Sequence, residues 1–501
     1  MFEGLASGLL VSLDPVNIIF SLLGVVLGVV IGAIPGLGPG MAIAITVPIT
    51  FGMSAATGML LLMGIFCGAV YGGSISAILL GVPGTPASIV TVWDGFKMTK
   101  SGRASTALSS AIVASTIGGL LSAFALLFLS PLLAKVTLLF GPPEYAALAL
   151  WGLAIVCSLE SKSLAKGLMA AFLGLILATV GMSPVTGAQR FTFGMLSLSS
   201  GLEIIPVLIG VFCIPEVMSM VNYDFVHEVI IKTEKSLRKR LESMIQFFKA
   251  FKPAIPTSLR SGIIGVIIGI IPGAGGTIAP FITYTDAKNR SKKPEEFGTG
   301  IIEGIAAAES ANNGASASSL IPLLTLGIPG SAAAAVFLGA LTIHGLQPGV
   351  MLFQNNPDVI YGLLIGTIFI QIYMLVIGLF FAPYIAKATL IPNSILAPVI
   401  IVFCCIGAYA SGSNLFNVWV MIIFGFIGYA MKYFGLSPAA MVLGMILGPM
   451  LENNISRSLA ISYGSPLIFV TRPISLGLYV LTIYMLFGPL SKSLENTRKK
   501  D

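Results

Sequence analysis

The sequence predicts an all-α polytopic membrane protein of about ten to twelve spans, with two inverted repeats that each contain broken or re-entrant helical hairpins. Three observations predict it. Of the 501 residues 56% are hydrophobic and only 9% charged, with a mean hydropathy of +0.98, whereas soluble chains carry about 25% charged residues. Short Gly/Pro motifs recur in the same order in both halves. Equivalent loops of the two halves carry opposite amounts of positive charge.

A spanning helix needs roughly 20 apolar residues. Val16–Ile34, Leu108–Leu133, Leu164–Val180, Leu202–Val221, Val359–Ala382, Phe416–Phe434 and Ile474–Leu490 meet that need most plainly. The duplicated motifs lie in and between such runs. Ile34-Pro35-Gly36-Leu37-Gly38-Pro39-Gly40 returns after 237 residues as Ile271-Pro272-Gly273-Ala274-Gly275-Gly276. Leu80-Gly81-Val82-Pro83-Gly84-Thr85 returns after 246 as Leu326-Gly327-Ile328-Pro329-Gly330-Ser331, and Gly181-Met182-Ser183-Pro184 returns after 254 as Gly435-Leu436-Ser437-Pro438. Ordered motifs at nearly constant spacing indicate a duplicated unit. The expected organisation is repeat one over 13–221, a charged linker over 222–256, repeat two over 257–490 and a tail over 491–501.

The net charge of +7 does not indicate a nucleic-acid partner. Twelve of the 27 Lys and Arg fall between Lys232 and Lys293, and none precedes Lys97. Such clustering marks cytoplasmic segments of a membrane protein, so the linker, read as an amphipathic surface helix, and the tail are placed inside. Pro48–Thr57 has no charge, while the matching loop Asp286–Glu296 holds Lys288, Arg290, Lys292 and Lys293. After the second motif the asymmetry reverses: Lys97, Lys100 and Arg103 in repeat one, no Lys or Arg in Leu341–Pro357. Opposite signs in equivalent loops imply inverted topology. They also make Leu259–Thr285, with basic segments on both sides, a re-entrant hairpin. The five Cys have no metal-type spacing and read as packing residues. No basic segment opens the chain, so no cleavable signal peptide is expected.

Pro and Gly interrupt helices, and interrupted backbone at membrane depth persists only where protein buries it or a wet cavity is lined by it. The start of a half-helix presents N–H groups that favour anions, and the end of the preceding one presents carbonyls that favour cations. Candidate substrate-binding residues are therefore Pro35, Gly36, Gly38, Gly40, Gly84, Thr85, Pro86, Ser88, Pro272, Gly273, Gly275, Gly276, Gly330 and Ser331, with Ser74 from the hydroxyl-rich Tyr71-Gly72-Gly73-Ser74-Ile75-Ser76 segment. The plainer alternative is that these glycines only allow close helix packing.

Glu309, Asn312, Asn313 and Ser316 share one helix face by their spacing. An ionisable residue in an apolar span is a functional-site hypothesis, and its carboxylate, amide and hydroxyl oxygens suit a hard cation such as sodium. Arg190, Arg457 and Arg472 read as residues snorkelling to the interface, and His227 and His344 form no metal or nucleophile set. Motifs for zinc peptidases, P-loop nucleotide binding and serine hydrolases are absent. The chain is read as no enzyme, without a cofactor and with sodium or a proton as coupling ion.

At these motifs the chain resembles the large membrane subunit of tripartite tricarboxylate transporters. The matching segments are Ile31–Gly40, Tyr71–Ala104, Ile271–Gly276, Glu309–Gly330, Arg190–Gly194, Gly448–Glu452 and Pro466–Pro473. The resemblance implies a cation-coupled importer of small carboxylates in the bacterial inner membrane. It also implies two partners, a small membrane subunit and a periplasmic binding protein that delivers substrate. Gly81 departs from the family pattern, where Asn is expected. A binding-protein-dependent transporter of a non-carboxylate solute, or a membrane-embedded enzyme, are the alternatives left open.

Overall fold

The computed structural model describes residues 2–159, 163–220, 246–272, 275–385, 387 and 391–498. Most of the linker expected at 222–256 lies outside the described residues, as does Gly273. Residues 246–251 are helical and lead into the next helix. The chain is mostly helical. In order the helices are α1 (Phe2–Leu13), α2 (Pro15–Ala33), α3 (Pro39–Thr46), α4 (Ala55–Leu80), α5 (Ile89–Lys100), α6 (Ala104–Val136), α7 (Pro142–Leu159), α8 (Leu164–Ala178) and α9 (Ile204–Met220). After the linker come α10 (Ile255–Ile270), α11 (Gly275–Arg290), α12 (Ile302–Ser318), α13 (Leu320–Leu326), α14 (Ala332–Ile343), α15 (Val350–Asn355), α16 (Pro357–Ile385), α17 (Asn393–Gly412), α18 (Leu415–Phe434), α19 (Pro438–Ile461), α20 (Ile468–Thr471) and α21 (Pro473–Arg498). The all-α expectation needs one amendment. Between α8 and α9, β1 (Gly181–Met182) pairs antiparallel with β2 (Gln189–Arg190).

Seven helical segments among the described residues are long and apolar enough to cross a membrane: Pro15–Ala33, Ala55–Leu80, Ala104–Leu139, Gln246–Ile270, Pro357–Ala382, Asn393–Gly412 and Leu415–Phe434. The expected runs at 164–180 and 202–221 form shorter apolar helices, and that at 474–490 lies in α21, whose apolar part is Pro473–Leu486. The molecule is a multi-pass membrane protein.

Two compact units divide the chain, and both draw on the two halves of the sequence. One comprises the described residues of Met1–Leu132, Glu216–Ile271 and Gly275–Phe403; the other comprises those of Leu133–Pro215, Pro272–Ala274 and Cys404–Asp501.

In the first unit α2 lies along α4, and α10 along α12. Small residues make both pairings possible. A Cβ on Gly24, Gly28 or Gly32 would collide with the backbone at Leu61, Ile65 or Ala69. From the other side, one on Gly64, Gly68 or Gly72 would meet the backbone at Ser21, Val25 or Val29. In the second half Gly262 faces Gly118 and Ser310, Gly265 faces Ala311, and Gly269 faces Ala315. Such spacing at every third or fourth residue lets helix backbones approach without a side chain between them. Helix α4 is buried along almost its whole length, from Thr57 to Leu80. It starts cleanly because the Ser54 hydroxyl accepts a hydrogen bond from Thr57 N (3.2 Å). Helix α2 starts in the same manner, with Asp14 accepting from Val16 N (2.9 Å) and Pro15 in the first turn.

In the second unit α19 packs on α7 and α8, and α21 on α7. Gly174 and Gly444 mark the close α8–α19 crossing, where a Cβ on Gly444 would meet Ala171 O and Gly174 Cα. Two arginines singled out in the sequence hold carboxylates here. Arg190 grips Glu452 with two parallel bonds of 2.9 and 3.1 Å, and Arg472 Nε donates to buried Glu144 at 2.6 Å. Arg457 is exposed.

Candidate functional site

The first two duplicated motifs interrupt helices with the same local geometry in both halves; the third does not, since Gly181–Met182 forms β1 whereas Gly435 is the left-handed cap of α18. α2 and α10 both end in an extended isoleucine, Ile34 at φ −80°, ψ 120° and Ile271 at φ −75°, ψ 116°. The second pair is closer still. Gly81 (φ 70°) and Gly327 (φ 74°) end their helices in the left-handed conformation. Glycine adopts it freely and Asn tolerates it best among other residues, which is why a family expectation of Asn at 81 is compatible with this turn. Three residues on, Gly84 N donates to Gly73 O and Gly330 N to Ser319 O, both at 3.2 Å. Thr85 and Ser331 then cap the next segment, accepting from Ser88 N (3.3 Å) and Ala334 N (3.1 Å). Ser88 Oγ in turn accepts from Thr85 N (3.1 Å), so Thr85 and Ser88 form a capping box with Pro86 in the first helical position.

The amides of Gly84 and Gly330 are thus already paired, and the expectation of unpaired N–H groups at the tips does not extend to them. Neither position has space for a side chain. A Cβ on Gly84 would come within 2.6 Å of Gly73 Cα and 2.7 Å of Gly32 O; one on Gly330, within 2.7 Å of Ser319 O. At these two positions close packing is the reason for glycine. Break one is more open. Gly38 caps α3 with nothing within 4 Å of a built Cβ, exposed Gly36 stands at φ +89° beside the Glu216 carboxylate, and Pro35 is half-buried. At break three, Pro272 is buried and Gly275 opens α11, while Gly276 lies next to Asn312, whose Oδ1 is 3.5 Å from a built Cβ.

The segments after the breaks pair crosswise within the first unit. α3, which follows break one, packs on α14, which follows break four; Gly40 sits over Ala333. α11, which follows break three, packs on Pro86–Ser88 and α5, which follow break two.

α12 lies against this arrangement and carries Glu309, fully buried. Thr91 of α5 and Ser115 of α6 donate hydroxyl hydrogen bonds to its two carboxylate oxygens, the second at 3.1 Å. Ser74 of α4 and Asn312 face the same carboxyl, and the Tyr71 ring lies close enough to feel its charge. Several buried polar atoms in this unit have no hydrogen-bond partner: Tyr71 OH, Ser74 Oγ, Asn312 Nδ2, Asn313 Oδ1 and Gln371 Oε1. Buried polar groups are normally satisfied, so the three of these residues that face the Glu309 carboxyl, Tyr71, Ser74 and Asn312, leave it suited to receiving a polar or charged guest.

The four residues of the expected acidic face are all buried on α12, and they do not all point outward as ligands. Asn313 Nδ2 donates to Glu309 O (3.1 Å) and Ser316 Oγ to Asn313 O (2.7 Å), so these two donors serve their own helix. Thr91, Ser115 and Tyr71 were not among the expected residues. Neither was Asp94, which is fully buried and is the only charged residue between Asp14 and Lys97. An isolated acid at the foot of the second motif was the available signal. His344 also has a partner, Thr50 Oγ1 at 3.0 Å, and burial draws its imidazole below the ordinary pKa, favouring the neutral ring.

The model of the tripartite tricarboxylate transporter TctA family matches residues 18–443. The chain belongs to that family. It is therefore a transporter component and not an enzyme, and such components work in tripartite systems with a small membrane subunit and a periplasmic binding protein. An uncharacterized 52.8 kDa protein in the TAR-I ttuC' 3' region of Agrobacterium vitis is 38% identical over 500 residues, covering 100% of this chain and 98% of that protein. A second protein of that organism, in the TAR-II ttuC' 3' region, is 37% identical over 234 residues, which is 47% of this TctA-family chain and 97% of the relative. No solved structure matches the chain.

Proposed function

We propose that this TctA-family protein imports a small organic carboxylate across the bacterial inner membrane, coupled to sodium or protons, after a periplasmic binding protein delivers the substrate. The observation that carries the reading is Glu309: one buried carboxylate in the second half, met by hydroxyls of Thr91 and Ser115 from the first. A cation there would take oxygens from Glu309, Asn312, Ser74 and the neighbouring hydroxyls, a donor set that fits a hard ion. The carboxylate substrate would lie nearer the open break one, where the first turn of α3 after Gly38 presents its N–H groups.

Two inverted repeats would supply alternating access. The support is the repeated local geometry, the crosswise pairing of the segments after the breaks, and the reversed charge of equivalent loops. The shorter apolar helices would bring the span count to about ten to twelve. In membrane-impermeant labelling of intact cells, Asn355→Cys is expected to react from outside, while Lys288→Cys should react only after permeabilisation. Reaction of Lys288→Cys from outside would overturn the inverted arrangement.

The function itself is tested by uptake of labelled citrate, tartrate or an aromatic acid into vesicles holding this protein and its small membrane subunit. Uptake is expected only with the cognate binding protein and an inward cation gradient. Transport of these acids that ignores both would refute the reading.

A further inference from the structure

We propose that Asp94 is a positioning residue for the ion site: by clasping the loop at 298–301 it sets Thr91 in register with Glu309. The inference rests on the reading of Glu309 as the coupling-ion site.

Asp94 is fully buried and takes four hydrogen bonds. Three backbone amides converge on Oδ1, from Gly298 (2.9 Å), Gly300 (2.8 Å) and Ile301 (3.0 Å), and Tyr284 OH donates to Oδ2 at 2.7 Å. Such convergence requires an unusual loop. Gly298 and Gly300 supply it with φ of +84° and +108°, values that side chains rarely adopt. Other side chains of the same stretch hold the loop's carbonyls, with Lys97 Nζ donating to Gly298 O and Arg103 Nη2 to Gly300 O (3.0 Å). Trp93, Tyr284 and Phe297 stack edge-to-face over the clasp, with ring centroids 4.9 and 5.3 Å apart. Gly304, in the first turn of α12, lies so close to Asp94 that a Cβ would strike Oδ2.

The clasp lies on the path to the ion site. Thr91 precedes Asp94 by one turn of α5, so the two share a face. Ile301, held by Asp94, is the cap residue of α12, and Glu309 follows about two turns later. α5 and α12 are therefore tied at one end by Asp94 and touch further in through Thr91 and Glu309. Any slide of one helix on the other would separate that hydroxyl from the carboxylate.

The duplication supplies an internal control. The position 246 residues after Asp94 is Ala340, on α14, and the pseudo-equivalent seam runs from the end of α14 to the loop before α4. There His344 meets Thr50 by one hydrogen bond of 3.0 Å. Helix α4 has no acid, in contrast to α12. The clasp is built at the seam whose helix carries the acid, and the fold forms the other seam without it.

The test is a double-mutant cycle read as the half-saturating concentration of the coupling cation for uptake, sodium first, or protons where wild-type uptake ignores sodium. Asp94→Asn and Thr91→Val are each expected to raise it roughly tenfold, the worth of about one charge-assisted hydrogen bond. The double variant should raise it no further than either single one, because Asp94 acts through Thr91. Should Asp94→Asn fail to reach the membrane, Tyr284→Phe removes one bond from the clasp and is expected to shift the same constant, by less. Multiplied effects in the double variant would overturn the proposal, as would a lower melting temperature in Asp94→Asn with an unchanged constant. An unchanged constant in Thr91→Val and Glu309→Gln alike would fell the ion-site reading too; a shift in those two with none in Asp94→Asn or Tyr284→Phe fells only the positioning role.

Discussion

Glu309→Gln is expected to raise the cation concentration needed for half-maximal uptake by roughly a hundredfold, about 2.8 kcal/mol of lost binding, or to abolish ion dependence altogether. The substitution removes a charge at nearly constant volume. One of the hydroxyls of Thr91 and Ser115 can still donate to the amide oxygen and the other can turn to accept from the amide NH2, so the protein should reach the membrane at normal levels. What disappears is the only formal negative charge on α12 beyond its first turn. Hydroxyls and amides alone hold a monovalent cation weakly against its own hydration, whereas an anionic oxygen in a site of low dielectric offsets much of that loss. Uptake with an unchanged ion dependence would show that Glu309 is a satisfied structural acid and that coupling lies elsewhere.

The second large effect falls on stability and separates packing glycines from open ones. Gly84→Ala places a methyl group against Gly73 Cα and Gly32 O, both backbone atoms that cannot swing aside. Overpacking of this kind costs about 1–3 kcal/mol or more, which in a domain of this size lowers the melting midpoint by roughly 5 °C. Gly38→Ala is the matched control, since its φ of −72° suits alanine and nothing lies within 4 Å. Its midpoint should move by less than about 2 °C, because a less favourable N-cap residue is set against lower unfolded-chain entropy. Thermal scans of both purified variants without substrate make the comparison. Equal midpoints would mean that the first tip is loose enough to yield, contrary to its paired amide and buried capping box.

The breaks were legible in the sequence because their cause is local. Gly81 and Gly327 end helices through their own backbone freedom, and Thr85 and Ser331 start the next segments through their own side chains. Glu309 was legible as a charge inside an apolar run. Its partners were not. Thr91 and Ser115 lie 218 and 194 residues away, and no spacing rule links a hydroxyl on one helix to an acid on another. Asp94 was hidden for the same reason, since the four donors that define it come from positions 190 to 207 residues distant. The amides of Gly84 and Gly330 were misjudged because a Gly/Pro motif shows that a helix stops without showing which carbonyl, Gly73 or Ser319, will take the freed N–H. Helix α4 was absent from the sequence-based spans although it is apolar enough to cross a membrane; its glycines Gly64, Gly68 and Gly72 are what pack it against α2.

Direct binding of the ion to the resting protein tests the central claim without any transport assay. Purified wild-type protein is titrated with sodium chloride against choline chloride at equal ionic strength, and its melting midpoint is followed. A ligand that binds only the folded state stabilises it by about 2.7 kcal/mol at a hundred times its dissociation constant. The account predicts a saturable rise in midpoint with sodium (or with falling pH, if protons are the coupling ion), retained in Gly38→Ala and lost in Glu309→Gln. An equal rise in wild type and Glu309→Gln, or none in wild type with either cation, would contradict it.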